Sequence, residues 1–411
     1  MRGPGLLEQL EAGARGGGPG ALAAGAGEEA LPALLRGGAI AALGAERGES
    51  QLVARRGRVV ERAGAGARAH ALRLGERRVR GVAIAGAVEH QGQREEHVPR
   101  ERGGRALAGL AQVGHRLVEA LRSRDAAGQW RITVLSEEAD AAYDRVGLTG
   151  YTEHWDRSKL ALPGNGYDGD GLVDLVLADK VGGIDRATKT VVTESGRGIA
   201  YDKLVMATGS YAFVPPVPGH ELPGCYVYRT LDDLDGIRAA MQRSADHGNN
   251  TGVVIGGGLL GLEAANALRQ FGMQAHIVER APRPMNQQLD DAGGALLARM
   301  IGKLGISVHL DVGTDAIEPL DEGIRVLLSD GTLIDAGLVI FAAGVRPRDE
   351  LAREAGIELA ERGGVLTDLS CVTSDPDIYA IGEVAAVEGR CYGLAGPGYT
   401  TAEVVADRLL G

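Results

Sequence analysis

Apolar and polar positions fall into regular patterns from about residue 113 onward and into none before residue 105. Residues 113–124 place Leu117, Val118 and Leu121 on one face at helical spacing, which predicts an amphipathic helix, and residues 130–135 predict a strand of alternating apolar positions. Residues 251–255 form a short continuous apolar run, the mark of a buried strand, followed by a helical run over 262–271 and a further strand over 274–278. Strands are also predicted within 201–210 and 338–344, each running into a small-residue turn, and within 374–383, ending at Gly382-Glu383. Strands and helices alternating in this order predict an α/β protein built from two Rossmann-like dinucleotide-binding domains.

Residues 1–105 use a narrow palette of glycine, alanine, arginine, leucine, glutamate and valine, without lysine, aspartate, asparagine, threonine, cysteine or any aromatic residue. Glycines such as those in 12–27 cost a helix about 1 kcal/mol each relative to alanine, and nothing there alternates as a strand should. Disorder is the expectation for this low-complexity segment. Two origins compete. An Arg/Gly-rich arm would bind RNA or acidic partners, but its glutamates are interspersed with the arginines and it offers no aromatic ring for stacking. A mistranslated reading frame of G/C-rich DNA would give the same palette, and the composition favours this second origin.

A net charge of −11 disfavours nucleic acid and anionic membrane surfaces as partners, because phosphate-tracking proteins present a basic face. Cys225, Cys371 and Cys391 are far apart and form no CxxC pair, so reduced thiols and a cytoplasmic location are expected. No stretch approaches the roughly 18 to 20 apolar residues of a membrane span. The longest candidate, near 81–88, is short and flanked by arginine and glutamate, and the N-terminus does not read as a secretory signal.

The strongest chemical signal is Gly256-Gly257-Gly258-Leu259-Leu260-Gly261, which follows a predicted strand and opens a predicted helix. In such a turn Gly256 permits the tight bend, Gly258 lets the backbone approach a pyrophosphate, and Gly261 lets helix and strand pack closely, leaving the helix N-terminus for the phosphates. Leu260 completes the turn. Glu279 ends the next strand near the offset at which an acid binds the adenosine ribose of a nicotinamide dinucleotide; its carboxylate repels a 2′-phosphate, so NADH is favoured over NADPH. Arg280 and Arg283 soften that preference.

A matching unit precedes it in altered form. In Gly109-Leu110-Ala111-Gln112-Val113-Gly114, Gly109 and Gly114 take the first and third glycine positions, but Ala111 takes the second, where a methyl group crowds a diphosphate. The strand expected before it, 103–108, is poor. Glu137, with Glu138 beside it, is the first choice for the ribose-binding acid of this unit. The turns Ala207-Thr208-Gly209 and Ala342-Ala343-Gly344 close the two folds, and Glu383 after Gly382 stands where an acid binds a ribityl chain.

These motifs, in this order, resemble the two-dinucleotide-fold flavoprotein reductases of the pyridine nucleotide-disulfide oxidoreductase type, over about 113–411. Within them, Tyr143-Asp144-Arg145-Val146-Gly147-Leu148-Thr149, Gly261-Leu262-Glu263-Ala264-Ala265 and Gly393-Leu394-Ala395-Gly396-Pro397-Gly398 are most similar to the N-terminal, diaphorase half of the assimilatory NAD(P)H nitrite reductase large subunit. Val113-Gly114-His115-Arg116 also fits that family, and Ala111-Gln112 departs from it. The resemblance implies FAD and NAD(P)H as cofactors, with an FAD-binding part over 106–224, an NAD(P)H-binding domain over 225–325 and a second FAD-binding part over 326–411.

It further implies that Arg145 contacts FAD, that Val181 meets the adenine edge through its backbone, and that Glu383 binds the ribityl or pyrophosphate region. Many relatives carry a lysine near the flavin where this chain has Gly150, so a Lys–Glu pair with Glu263 is not expected, although Glu263 stays a candidate near the nicotinamide. Three scattered cysteines cannot supply four thiolates for an iron–sulfur cluster, so electrons are expected to leave for a downstream acceptor such as a sirohaem and iron–sulfur nitrite reductase part. A homodimer stays open. Two alternatives remain: a stand-alone ferredoxin or rubredoxin reductase, against which little chain follows Glu383 for an interface domain, and an NAD-binding regulatory protein with a weakened FAD site.

Overall fold

The computed structural model describes residues 112–411 together with two strands, Arg80–Ile84 and Leu107–Ala108. The remainder of 1–111, with Gly109 and Ala111, lies outside the described residues. The first sheet is parallel throughout, in the order Ile378–Ala380, Lys203–Met206, Leu107–Ala108, Arg80–Ile84, Trp130–Leu135, Val173–Val176.

This order corrects the expectation for the opening strand. Of 103–108 only Leu107–Ala108 is strand, and the central position belongs to Arg80–Ile84, from within the low-complexity segment. Arg80–Ile84 pairs along its whole length with Trp130–Val134, while on the other side Val82 and Ala83 meet Lys203 and Leu204, and Leu107 and Ala108 meet Val205 and Met206. Two chain segments thus share one slot. The pattern hid this strand because Val82-Ala83-Ile84 is a very short apolar run set among the glycines, alanines and arginines of the segment, from which it does not stand out.

The helix Gln112–Arg124 buries Leu117, Val118 and Leu121, the face its spacing predicted. It packs against Ala395–Leu410. Trp130–Leu135 is buried at five of its six positions, so the expected alternation gives way to a strand covered on both faces. Ile132, Val134, Leu204, Met206 and Ile378 complete this core, which an antiparallel sheet of Val181–Asp185, Thr190–Thr193 and Gly198–Ala200 joins through Val181, Val191 and Ile199.

The second sheet is also parallel, in the order Cys225–Val227, Leu338–Phe341, Thr251–Ile255, Gln274–Glu279, Ser307–Leu310. An antiparallel meander of Thr314–Pro319, Ile324–Leu328 and Leu333–Ala336 packs on it through Ile317, Val326 and Phe341. The boundary expected at 325/326 therefore falls inside a strand. The chain leaves the second unit only after Phe341, because that sheet needs Leu338–Phe341 between two of its other strands. Ser210–Ala212 and Val345–Pro347 pair antiparallel where the chain crosses between the units. Tyr143, Leu148, Tyr151 and Leu160, from the first unit, share a core with Leu234, Leu262 and Ile340 of the second.

Candidate functional site

A cleft of about 930 Å³ runs between the C-terminal ends of the two parallel sheets, where ligands bind in open α/β folds. Its walls bring together Glu137, Glu138, Arg145, Ala207, Thr208, Gly209, Gly256, Gly258, Leu260, Glu263, Glu279, Gly344, Gly382 and Glu383, most of the residues the sequence singled out. Gly114, Gly261 and Val181 do not line it. Gly114 is buried as the third residue of its helix, the place Gly261 holds in the second unit. Val181 points into the first core, from an antiparallel strand paired with Thr193.

The glycine turn of the second unit is built as its spacing requires. Gly256 has φ +120°, and a Cβ there would stand 2.4 Å from the Ala342 carbonyl oxygen; on Gly261 it would stand 1.9 Å from the Gly256 carbonyl oxygen. A Cβ on Gly258 meets nothing within 4 Å, so that position opens toward the cleft. The helices Leu259–Gln270 and Ala395–Leu410, whose first residues line the cleft, have no side-chain N-cap, whereas Thr230 and Asp290 cap the helices Leu231–Asp246 and Asp291–Lys303. Uncapped N–H groups facing a cleft are free to hold phosphate oxygens. The Gly256–Gly261 turn therefore fits a dinucleotide's diphosphate, and the start of Ala395–Leu410 offers a second place for phosphate oxygens.

Charge in the cleft is arranged in pairs. Glu137 is ion-paired with Arg348, Glu138 with Arg145, and Glu383 with Arg229. Tyr143 donates its hydroxyl proton to Glu138 at 2.8 Å, and its ring lies 4.9 Å below the Arg145 guanidinium. Ser210 donates to Glu383 at 2.6 Å, and Arg229 donates to the Ser210 hydroxyl at 2.8 Å. Burial pushes the Glu383 carboxyl upward, but Arg229, the Ser210 hydrogen bond and Arg145 outweigh it and hold it below the usual range. Glu279 differs: it accepts from the backbone N–H groups of Gly257 at 2.6 Å and Ala281 at 2.8 Å, and among the described residues no arginine forms an ion pair with it.

Glu263 stands apart from these pairs. It is 4% exposed, and burial pushes its carboxyl up to about 7, against a small opposing effect of the Thr149 hydroxyl. The buried hydroxyls of Thr149 and Tyr228 lie beside it, and Gly150 supplies no charge. Such a carboxyl holds its proton near neutrality and can donate a hydrogen bond.

The sequence reading missed Arg229, Ser210 and Arg348. One signal was available for Arg229: it immediately precedes Thr230, whose capping box with Asp233 starts a helix, so it had to lie at a helix entrance. Among the described residues no cluster suited to a metal ion occurs and no helix is long and apolar enough to cross a membrane.

Residues 111–404 match the family described as pyridine nucleotide-disulphide oxidoreductase. The chain is 48% identical over 307 residues to the nitrite reductase [NAD(P)H] large subunit of Klebsiella oxytoca, covering 74% of this chain and 31% of that protein. It is 41% identical over 310 residues to the nitrite reductase (NADH) large subunit of Escherichia coli, covering 74% and 36%. It spans about a third of the length of these relatives. Among solved structures, a ferredoxin reductase from Rhodopseudomonas palustris is similar with a TM-score of 0.68 and 30% identity, covering 80% of this chain and 76% of that one.

Proposed function

The chain belongs to the pyridine nucleotide-disulphide oxidoreductase family, and from that membership we propose that it is the electron-input, diaphorase half of an assimilatory nitrite reductase system. It is an NAD(P)H-dependent electron-transfer oxidoreductase, and the family uses FAD and a nicotinamide dinucleotide. The observation that supports this reading most is one continuous cleft at the C-terminal ends of both parallel sheets, lined by the Gly256–Gly261 turn on one side and by the uncapped start of Ala395–Leu410 on the other.

Bound FAD would supply two-electron chemistry, accepting hydride from the nicotinamide and releasing electrons to an acceptor. The protein's own contribution is placement. Gly256, Gly258 and Gly261, with Leu260, shape the turn for the nicotinamide dinucleotide's diphosphate, and Glu279 accepts its adenosine ribose hydroxyls and favours NADH over NADPH. Glu137 does the same for FAD, while Arg145, Arg229 and Glu383 hold the ribityl and diphosphate region beside Ala207-Thr208-Gly209 and Gly382. Gly344 closes the turn of the second unit at φ +108°. No side-chain nucleophile is required. The acceptor is a sirohaem and iron–sulfur nitrite-reducing part, and the location is cytoplasmic.

FAD-loaded protein should oxidise NADH with an artificial dye as acceptor. A yellow, flavin-bearing protein that leaves NADH untouched would refute the proposal. The solved ferredoxin reductase keeps a second reading in view, in which a ferredoxin takes the electrons; rapid ferredoxin reduction, with no transfer to a sirohaem partner, would favour it.

A further inference from the structure

Glu137, just past the strand Trp130–Leu135, and Glu279, at the end of Gln274–Glu279, are held differently. Each of these strands pairs in parallel with a central strand of its sheet, Arg80–Ile84 and Thr251–Ile255 respectively, so the two acids occupy equivalent places in the two sheets. Glu279 rests on two backbone N–H groups, and among the described residues no cation is ion-paired to it. Glu137 instead meets the guanidinium of Arg348.

Arg348 is brought there by tight backbone anchoring. Its N–H donates to the Gly209 carbonyl at 3.0 Å, and its own carbonyl accepts from the Thr208 hydroxyl at 2.7 Å, which fixes it to the turn after Lys203–Met206. The side chains of Arg348 and Glu137 are 14% and 19% exposed, and the buried Arg348 Nε has no partner among the described residues. Desolvation offsets most of the Coulomb attraction in so enclosed a pair, which makes fold stability a weak reason for it. Both residues line the cleft.

We propose that Arg348 is a positioning residue for the flavin nucleotide, fixing and neutralising Glu137 so that this carboxylate can accept the adenosine ribose hydroxyls close to the dinucleotide's anionic diphosphate. This rests on the reading that the cleft binds FAD. An unpaired Glu137 would repel the diphosphate and turn freely; the paired one presents fixed acceptors at little net charge. The same contrast distinguishes the two acids, since among the described residues Glu137 is ion-paired and Glu279 is not.

The test compares the affinities of the full chain for FAD and for flavin 2′-deoxyadenosine dinucleotide, followed by quenching of flavin fluorescence. Wild-type protein should prefer FAD by about tenfold, Arg348→Met should bring that ratio near one while raising the FAD Kd at least about tenfold, and Arg348→Lys should keep most of the ratio. Equal weakening of both ligands by R348M, with the ratio kept, would show a structural role only and overturn the proposal, as would a wild-type ratio near one. Should R348M fail to fold, Glu137→Ala carries the comparison, and an unchanged ratio there is equally fatal. Absence of FAD binding by the wild type would instead remove the flavoprotein reading itself.

Discussion

Gly261 and Gly256 touch backbone to backbone: a single methyl carbon on Gly261 would lie 1.9 Å from the Gly256 carbonyl oxygen. Helix Leu259–Gln270 can sit over its strand only because that methyl is absent. Gly261→Ala should therefore destabilise the protein by about 1–3 kcal/mol, the usual cost of overpacking, and lower nucleotide affinity with it. Gly258→Ala meets open space and should leave the melting temperature within about 2 °C while raising the KM for NADH about tenfold or more. Thermal melts and steady-state kinetics on the two variants separate folding from binding at positions three residues apart.

Glu263 gives stability a pH dependence whose sign is fixed by burial. In the fold its carboxyl ionises at about 7, in the unfolded chain near 4.5, so the folded state binds more protons between those values. Its contribution is fully present below 4.5 and is lost as pH rises through 7. The cost at pH 8 is on the order of 3 kcal/mol, which Glu263→Gln should recover in large part, while variant and parent should melt alike near pH 4.5. A parallel shift at both pH values would show that the side chain's shape, not its charge, is at issue.

The legible and illegible parts of this protein divide by the range of the interactions that make them. The Thr251–Ile255 strand, the Gly256–Gly261 turn and the acid at Glu279 are local, and their spacing specified them. The face of Gln112–Arg124 was likewise written in Leu117, Val118 and Leu121. Arg229 and Arg348 join the site through distant strands, and nothing near them in sequence marks which acid each will meet. Arg80–Ile84 was hidden for another reason: a five-residue strand without alternation is indistinguishable from its arginine- and glycine-rich surroundings until its neighbours pair with it. The second unit's end was misplaced because Leu338–Phe341 returns to a sheet begun long before.

Arg229 keeps the Glu383 carboxylate charged against a strong burial effect. Arg229→Met leaves that carboxylate enclosed with the Ser210 hydroxyl and the more distant Arg145. FAD affinity at pH 8 should fall at least about tenfold, the usual outcome of removing one partner of an enclosed charge pair. The loss should shrink as pH is lowered, because the orphaned carboxyl then takes up a proton more readily than in the parent. Titrations of FAD at pH 8 and pH 6 test this, and a pH-independent loss would assign Arg229 a direct role on the ligand instead.

Glu279 should govern the choice between NADH and NADPH. Its two carboxylate oxygens are oriented by Gly257 and Ala281, so the charge stands at a defined place beside the glycine turn, and Arg280 lines the cleft next to it. A 2′-phosphate brought there meets a fixed negative charge to which, among the described residues, no guanidinium is ion-paired. Glu279→Gln keeps an acceptor for a ribose hydroxyl and removes the charge, so kcat/KM for NADPH should rise about tenfold, with that for NADH falling by less. Adding Glu279→Arg tests the same idea from the other side, since a guanidinium beside Arg280 should reverse the preference outright. If neither substitution moves the ratio of the two kcat/KM values, discrimination lies elsewhere in the cleft, and the equivalence drawn between Glu279 and Glu137 loses its basis.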